Sequence, residues 1–262
     1  MFVGSEDAKV IIQGVAITGI TDISFSSNVE EKAVVLLADR GINRKINNGH
    51  NVQCKISKPY LGKDMLQEFT GITNLSGQFI YGTDALDFNQ GTISSYSISV
   101  DTDSSPKISV DIKIFGDFKP TTTIQTSTPD HQFENLGPES AFINVENRTS
   151  ILTNFSYKVD FDVKPTYEIS SIKSSTSKIL SPIKYSVSAD MLMDEQEFVD
   201  MTGLMQSETF SRPVTFEMKN ESSTVLNTYN IPNASISSQS ASVAAGDLVK
   251  MSVTYQGLEI NV

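Results

Sequence analysis

The chain has 262 residues, 39% of them hydrophobic, which suits two modest cores in domains of roughly 100–130 residues better than one large core. Its 31 acidic against 20 basic residues give a formal charge of −11, and no basic cluster is denser than Arg40 to Lys45. That balance argues against a protein that grips nucleic acid through its phosphates, and equally against one that binds an anionic membrane. No apolar run approaches the ~18 residues of a membrane span. The opening residues lack the basic and apolar regions of a secretory signal, so synthesis in a reducing cytoplasm is expected.

Period-2 alternation dominates from the start, and it predicts strands. The run from Lys32 to Ala38 is dense enough for a strand buried on both faces. Cys54 alternates with Val52 and Ile56 and, as the one cysteine, is expected to be a small buried hydrophobe. Between Tyr60 and Thr70 the apolar residues Leu61, Met65, Leu66 and Phe69 share a helical face, and Thr70-Gly71 supplies the stop. Strand patterns follow at Ser97 to Val100 and, past a turn near Ser105-Pro106, at Ile108 to Ile114, ending on Phe115-Gly116. Residues 119–146, with Thr121 to Thr123, Pro129 and Gly137-Pro138, are predicted to be an extended linker.

Beyond it Phe155, Tyr157, Val159, Phe161 and Val163 alternate with polar residues, as do Ile183, Tyr185, Val187 and Ala189. A second helix is predicted from Asp190 to Thr202, with an Asp194/Glu197 capping box and a Thr202-Gly203 stop. A serine-rich strand around Ser235 to Ser237, a turn at Gly246-Asp247 and a strand from Val249 to Tyr255 complete the chain, before Gln256-Gly257. The two Thr-Gly stops lie 132 residues apart and the glycines Gly116 and Gly257 lie 141 apart. Such similar offsets point to an internal duplication, with domains at 1–118 and 147–262 joined by the linker at 119–146.

Chemistry is sparse. A hydrolytic triad needs a histidine beside a nucleophile, yet the two histidines are His50, in the turn Asn47 to Asn51, and His131, in the linker. One cysteine and two distant histidines make no zinc site, and Asp101, Asp103, Asp111 and Asp117 lack the spacing of a calcium loop. No phosphate-binding glycine motif is present. No catalytic, cofactor or metal site is therefore expected, and the chain is read as one that assembles without catalysing.

The stretch Val15 to Ser26 followed by Val35 to Gly41 resembles the start of tail tube proteins of tailed bacteriophages, and the order helix, then paired long strands, fits the same family. The resemblance covers both halves, about 100 residues each, and rests on element order. It implies a mainly β chain of two tandem tail-tube-like β-sandwich or split-barrel domains, each flanked by one short helix. It also implies a virion structural protein, either a tail tube subunit or a tube-end or baseplate hub ring through which the genome passes. Its partners would be itself, as a trimeric pseudo-hexamer or a hexamer, and neighbouring tail or baseplate proteins. DNA would pass without specific binding, no membrane would be involved, and the protein would reside in the virion after assembly in the host cytoplasm. On this reading Ser97, Ser99, Asp101, Ser109 and Asp111, with second-half counterparts near Ser237 and Ser252, are candidates for a small, polar, acidic channel lining. The outer solvent face is the bland alternative for the same residues. The alternative function is a virion or surface adhesin-like double β-sandwich binding carbohydrate, which the absence of tryptophan disfavours. A glycosidase would need a cleft carboxylate pair that no spacing here marks.

Overall fold

Alternating apolar and small polar residues commit almost the whole chain to strands, and the computed structural model joins fifteen of them in one hydrogen-bonded sheet. It describes residues 8–35, 42–60, 62, 64–101, 104–129, 136–145, 148–167, 174–193, 212–242 and 249–259. In chain order these give β1 (Ala8–Ile12), β2 (Val15–Ile17), β3 (Asp22–Val35), β4 (Ile42–Pro59), helix α1 (Met65–Glu68), β5 (Leu75–Tyr81), β6 (Asp84–Asp101) and β7 (Ser104–Ile114). Next come β8 (Phe118–Thr121), β9 (Thr128–Pro129), β10 (Leu136–Val145), β11 (Arg148–Tyr167), β12 (Ser174–Met193), β13 (Arg212–Asn220), β14 (Val225–Ser242) and β15 (Val249–Glu259).

One pairing order occurs twice. In the first half β1 pairs β5, β5 pairs β6, β6 pairs β7, β7 pairs β4 and β4 pairs β3. In the second half β10 pairs β13, then β14, β15, β12 and β11 follow in the same sequence. The bulges recur too: β6 breaks register against β7 between Ile93 and Ser95, and β14 against β15 between Ile236 and Ser238. These positions and their partners, Ile112 with Tyr255 and Asp111 with Thr254, are all 143 residues apart. The glycine landmarks of the sequence, Gly116 and Gly257, therefore miss by two residues, and Gly257 corresponds to Ile114. Long strand β6 links the halves, because its residues Ser95 to Asp101 pair antiparallel with Asp160 to Asn154 of β11. The second half also pairs β10 with β11 and so closes on itself, while the sheet as a whole stays open at β3 and β9.

Four expectations change. The first helix shrinks to four residues: Gly62 takes a φ of 123°, and the Asp64 side chain caps the turn by accepting from the Leu66 N–H at 3.0 Å. Its stop is where the sequence placed it, with Gly71 at a φ of 78°. Of the second predicted helix, Asp190 to Met193 belong to strand β12, and the remainder, with Gly203, lies outside the described residues. The linker at 119–146 contains β8's end, β9 and the ten-residue strand β10. The run Ala141-Phe-Ile-Asn-Val145 pairs with Met218 to Val214, and a register shift between Leu136 and Ala141 accommodates Gly137-Pro138, which a regular ladder would not. The turn expected at Ser105-Pro106 is not there, since both residues are in β7 and Asp101 pairs Ser104. Burial in Lys32 to Ala38, the surroundings of His50, the turn at Gly246-Asp247 and all of His131 lie outside the described residues.

The apolar face is continuous across the join. Val187, Tyr157, Ile98 and Ile108 lie in one cross-strand row and all are buried. Cys54 is fully buried there, as expected, and burial and the nearby Asp111 charge push its thiol up. Beside this row α1 fastens the halves through a buried polar chain. Asn227 Nδ2 donates to Tyr229 Oη at 3.4 Å, the two tyrosine hydroxyls are 3.3 Å apart, and Tyr96 Oη donates to Asp64 Oδ2 at 2.5 Å. With its proton committed to Asp64, Tyr96 accepts from Tyr229, so the chain has one direction. Gln67 adds two bonds, donating to the Thr228 carbonyl at 3.0 Å and accepting from Asn227 Nδ2 at 3.0 Å.

Burial raises the Asp64 carboxyl above its ordinary range, against the opposing pull of Tyr96, the Lys58 ammonium and backbone N–H groups. A carboxyl raised in the folded state holds its proton there more readily, so its contribution to stability falls as pH rises from the unfolded value through the folded one. We therefore expect wild-type stability relative to Asp64→Asn to be greatest near pH ~4 and to decline towards pH ~7. Urea denaturation of both proteins across that range tests it, and parallel curves would refute the assignment.

Candidate functional site

Because side chains alternate across a strand, residues one position off the apolar rows form a second face. It runs without interruption over eight strands in the order β14-β15-β12-β11-β6-β7-β4-β3. One row reads Ser235, Gln256, Ser186, Lys158, Ser97, Ser109, Ser57, Asp22. Its neighbours read Lys184, Asp160, Ser95, Asp111, Lys55, Ser24 and, on the other side, Ser238, Thr254, Ser188, Ser156, Ser99, Lys107. A fourth row holds Ser240, Ser252, Asp190, Asn154 and Asp101.

All five residues singled out in the first half, Ser97, Ser99, Asp101, Ser109 and Asp111, thus lie on this one face, with Ser97 directly opposite Ser109. Of the second-half residues, Ser252 lies on it, whereas Ser237 is the extra residue of a bulge. Residues that complete the face but were not singled out are Ser156, Lys158, Asp160, Ser186, Ser188, Thr254 and Gln256. Their signal was present in the polar half of the alternation from Phe155 to Val163.

Several serine hydroxyls fold back onto the sheet backbone. Ser97 Oγ donates to the Ser109 carbonyl at 3.3 Å and Ser235 Oγ to the Gln256 carbonyl at 3.3 Å. The bulge serines do the same, Ser94 to the Asp111 carbonyl and Ser237 to the Thr254 carbonyl, each at 3.2 Å. Compared with known protein families and with curated proteins, the chain matches none. Among the described residues no three His, Cys, Asp or Glu side chains come together to hold a metal, and no helix is long and apolar enough to cross a membrane.

The charge of the face differs from the acidic lining expected. Lys55, Lys107, Lys158 and Lys184 stand among Asp22, Asp101, Asp111, Asp160 and Asp190, so the rows nearly balance. Lys158 pairs Asp160 at 2.7 Å, and Lys250 reaches Asp190 at 3.4 Å. Most of the chain's excess negative charge is carried elsewhere. The hydroxyl of Tyr185, at the margin, donates to Glu259, and burial together with that carboxylate raises it.

This geometry separates neighbouring residues sharply. Ser99 is exposed on the polar face, whereas Ile98 is fully buried in the row beside Tyr157. Ser99→Lys should change unfolding free energy by less than ~0.5 kcal/mol, while Ile98→Lys should prevent folding by burying an unpaired charge. Urea titrations distinguish them, and a folded Ile98→Lys protein would contradict the assignment of faces.

Proposed function

We propose that the chain is a virion structural protein, a tail tube subunit or a tube-end or baseplate hub ring, whose polar sheet face lines a channel for the genome. The observation that carries this reading is the face itself, eight adjacent strands wide and mostly polar, with Leu192 and Leu258 its exposed apolar residues in the second half. The twice-repeated pairing order supports the finer fold reading, two tandem tail-tube-like units that use the same four strands each to build that face.

Size selects the assembly. Three chains of eight strands, at ~4.8 Å spacing and ~40° tilt, close on a backbone diameter of roughly 48 Å. After side chains are allowed for, the opening is roughly 35–40 Å, wider than a DNA duplex. Six whole chains would double that diameter and leave the duplex unguided. A trimer of two-unit chains, six units around the pore, is therefore the assembly we favour over a hexamer of chains. Specific grip on phosphate requires clustered cations. Serines with interleaved lysines and aspartates offer none, so DNA slides past without being held. Neighbouring tail or baseplate proteins would stack on the ring's ends.

Negative-stain images of the purified protein should show threefold rings or stacked tubes with a central opening. The net charge of −11 per chain makes the subunits repel, with a range of ~8 Å at physiological salt. Sedimentation from about 0.05 to 1 M salt should then show assembly strengthened by salt. A protein that remains monomeric at every concentration and salt would overturn the proposal.

A further inference from the structure

The eight-stranded face ends in two unlike edges, and the chain already contains the joint that would connect them. At its centre, β6 of the first half pairs with β11 of the second, with Ser97 opposite Lys158, Ile98 opposite Tyr157 and Ser99 opposite Ser156. By pairing order the second-half counterpart of β6 is β14, and the first-half counterpart of β11 is β3. Those are the two ends of the face. Among the described residues β3 pairs with β4 alone, and residues Ser235 to Ser242 of β14 pair only with β15.

Sequence and register agree on the correspondence. Ser94-Ser-Tyr-Ser-Ile-Ser99 in β6 matches Ser237-Ser-Gln-Ser-Ala-Ser242 in β14 at the spacing the bulges set. Asp22-Ile-Ser-Phe25 in β3 matches Asn154-Phe-Ser-Tyr157 in β11, and the register through β4 and β12 gives the same alignment. Burial shows what is missing. Tyr157 is 6% exposed in the central joint, whereas its counterpart Phe25 is 43% exposed. Ile98 is fully buried, whereas its counterpart Ala241 is exposed.

A second feature points the same way. In the second half Asn227, Thr228 and Tyr229 receive α1 and Tyr96 from the first half. Their counterparts Asp84, Ala85 and Leu86 line an apolar groove of about 730 Å³ that also includes Ile23, Phe25 and Phe79. The groove occupies the place that the other half fills at the central joint. The β14 edge lacks the usual protection, since Ser235 to Ser242 contains no proline and no charge.

We propose that β3 and its groove bind the β14 edge of a second copy of this chain, antiparallel, in the register of the central joint: Ser26 opposite Ser240, Phe25 opposite Ala241 and Ser24 opposite Ser242. The contact joins two different surfaces, head to tail, so it propagates around a ring, and it continues the rows of the polar face from copy to copy. This inference deepens the proposed assembly and rests on it.

The test is disulfide cross-linking of the full chain carrying Ser26→Cys and Ser240→Cys, with Ser26→Cys and Ser235→Cys as the off-register control. Cys54, fully buried, stays out of the reaction. Oxidation should give a ladder of linked multimers on a denaturing gel for the first pair and little for the control. Ala241→Lys, at an exposed position of the single chain, should raise the concentration for half-assembly at least ~10-fold, about 1.4 kcal/mol per subunit contact, without lowering the thermal midpoint of the dissociated chain. An assembly that forms normally, yet neither cross-links at 26 and 240 nor responds to Ala241→Lys, would overturn this joint and leave the ring intact. A chain that never assembles would overturn both.

Discussion

The seven-residue ladder between β6 and β11 is the constraint on which the molecule depends. A one-residue slip there would turn every side chain of one half onto the wrong face of the other. The register observed keeps Val100, Ile98 and Tyr96 beside Phe155, Tyr157 and Val159, so one apolar face spans both halves. The same register keeps Ser97 and Ser99 beside Lys158 and Ser156, so one polar face does as well. The buried chain from Asn227 through Tyr229 and Tyr96 to Asp64 then resists that slip, because the Tyr96–Tyr229 contact, with the bonds of Gln67 to Asn227 and Thr228, joins one half to the other. Buried polar groups are costly unless satisfied. A shifted register would strand a carboxylate and two phenols in the core.

Strand content was legible because period-2 alternation is a local signal. Every run of alternating apolar residues from Val52 to Tyr255 lies in a strand, and the five candidate face residues share a side because their parity is set by the sequence. What failed was information the sequence does not carry locally. Strand β10 was hidden by Gly137-Pro138, which is compatible with a strand only because a register shift receives it. The first helix was overestimated because Met65, Leu66 and Phe69 fit a helical face, while Gly62 begins the turn late. The Asp64, Tyr96 and Tyr229 cluster, in which Tyr96 and Tyr229 alone are 133 positions apart, has no sequence signature at all.

The charge of the face shows how composition misleads. A net charge of −11 implies an acidic surface on average, yet the cross-strand rows bring lysines opposite aspartates. Opposite charges across a strand pair contribute favourably and like charges do not. Register selection therefore tends to neutralise a wide sheet face.

An open eight-stranded sheet with an uncharged edge at Ser235 to Ser242 is a hazard for an isolated chain, because unpaired backbone groups template aggregation. Two ways of removing that hazard differ in consequence. Isologous pairing of β3 with β3, or β14 with β14, would stop at two chains and leave the other edge exposed in each. Pairing of β3 with β14 satisfies both edges at once and repeats, and the rotation between successive chains decides whether the series closes or spirals. The internal joint between β6 and β11 already fixes the rotation between one half and the next. If the intermolecular joint repeats it, successive halves are related by nearly the same operation throughout. The right-handed twist of sheets accumulates steadily from strand to strand, so such a series curves uniformly. Whether such a series closes or spirals is then set by the geometry of the chain's own central joint.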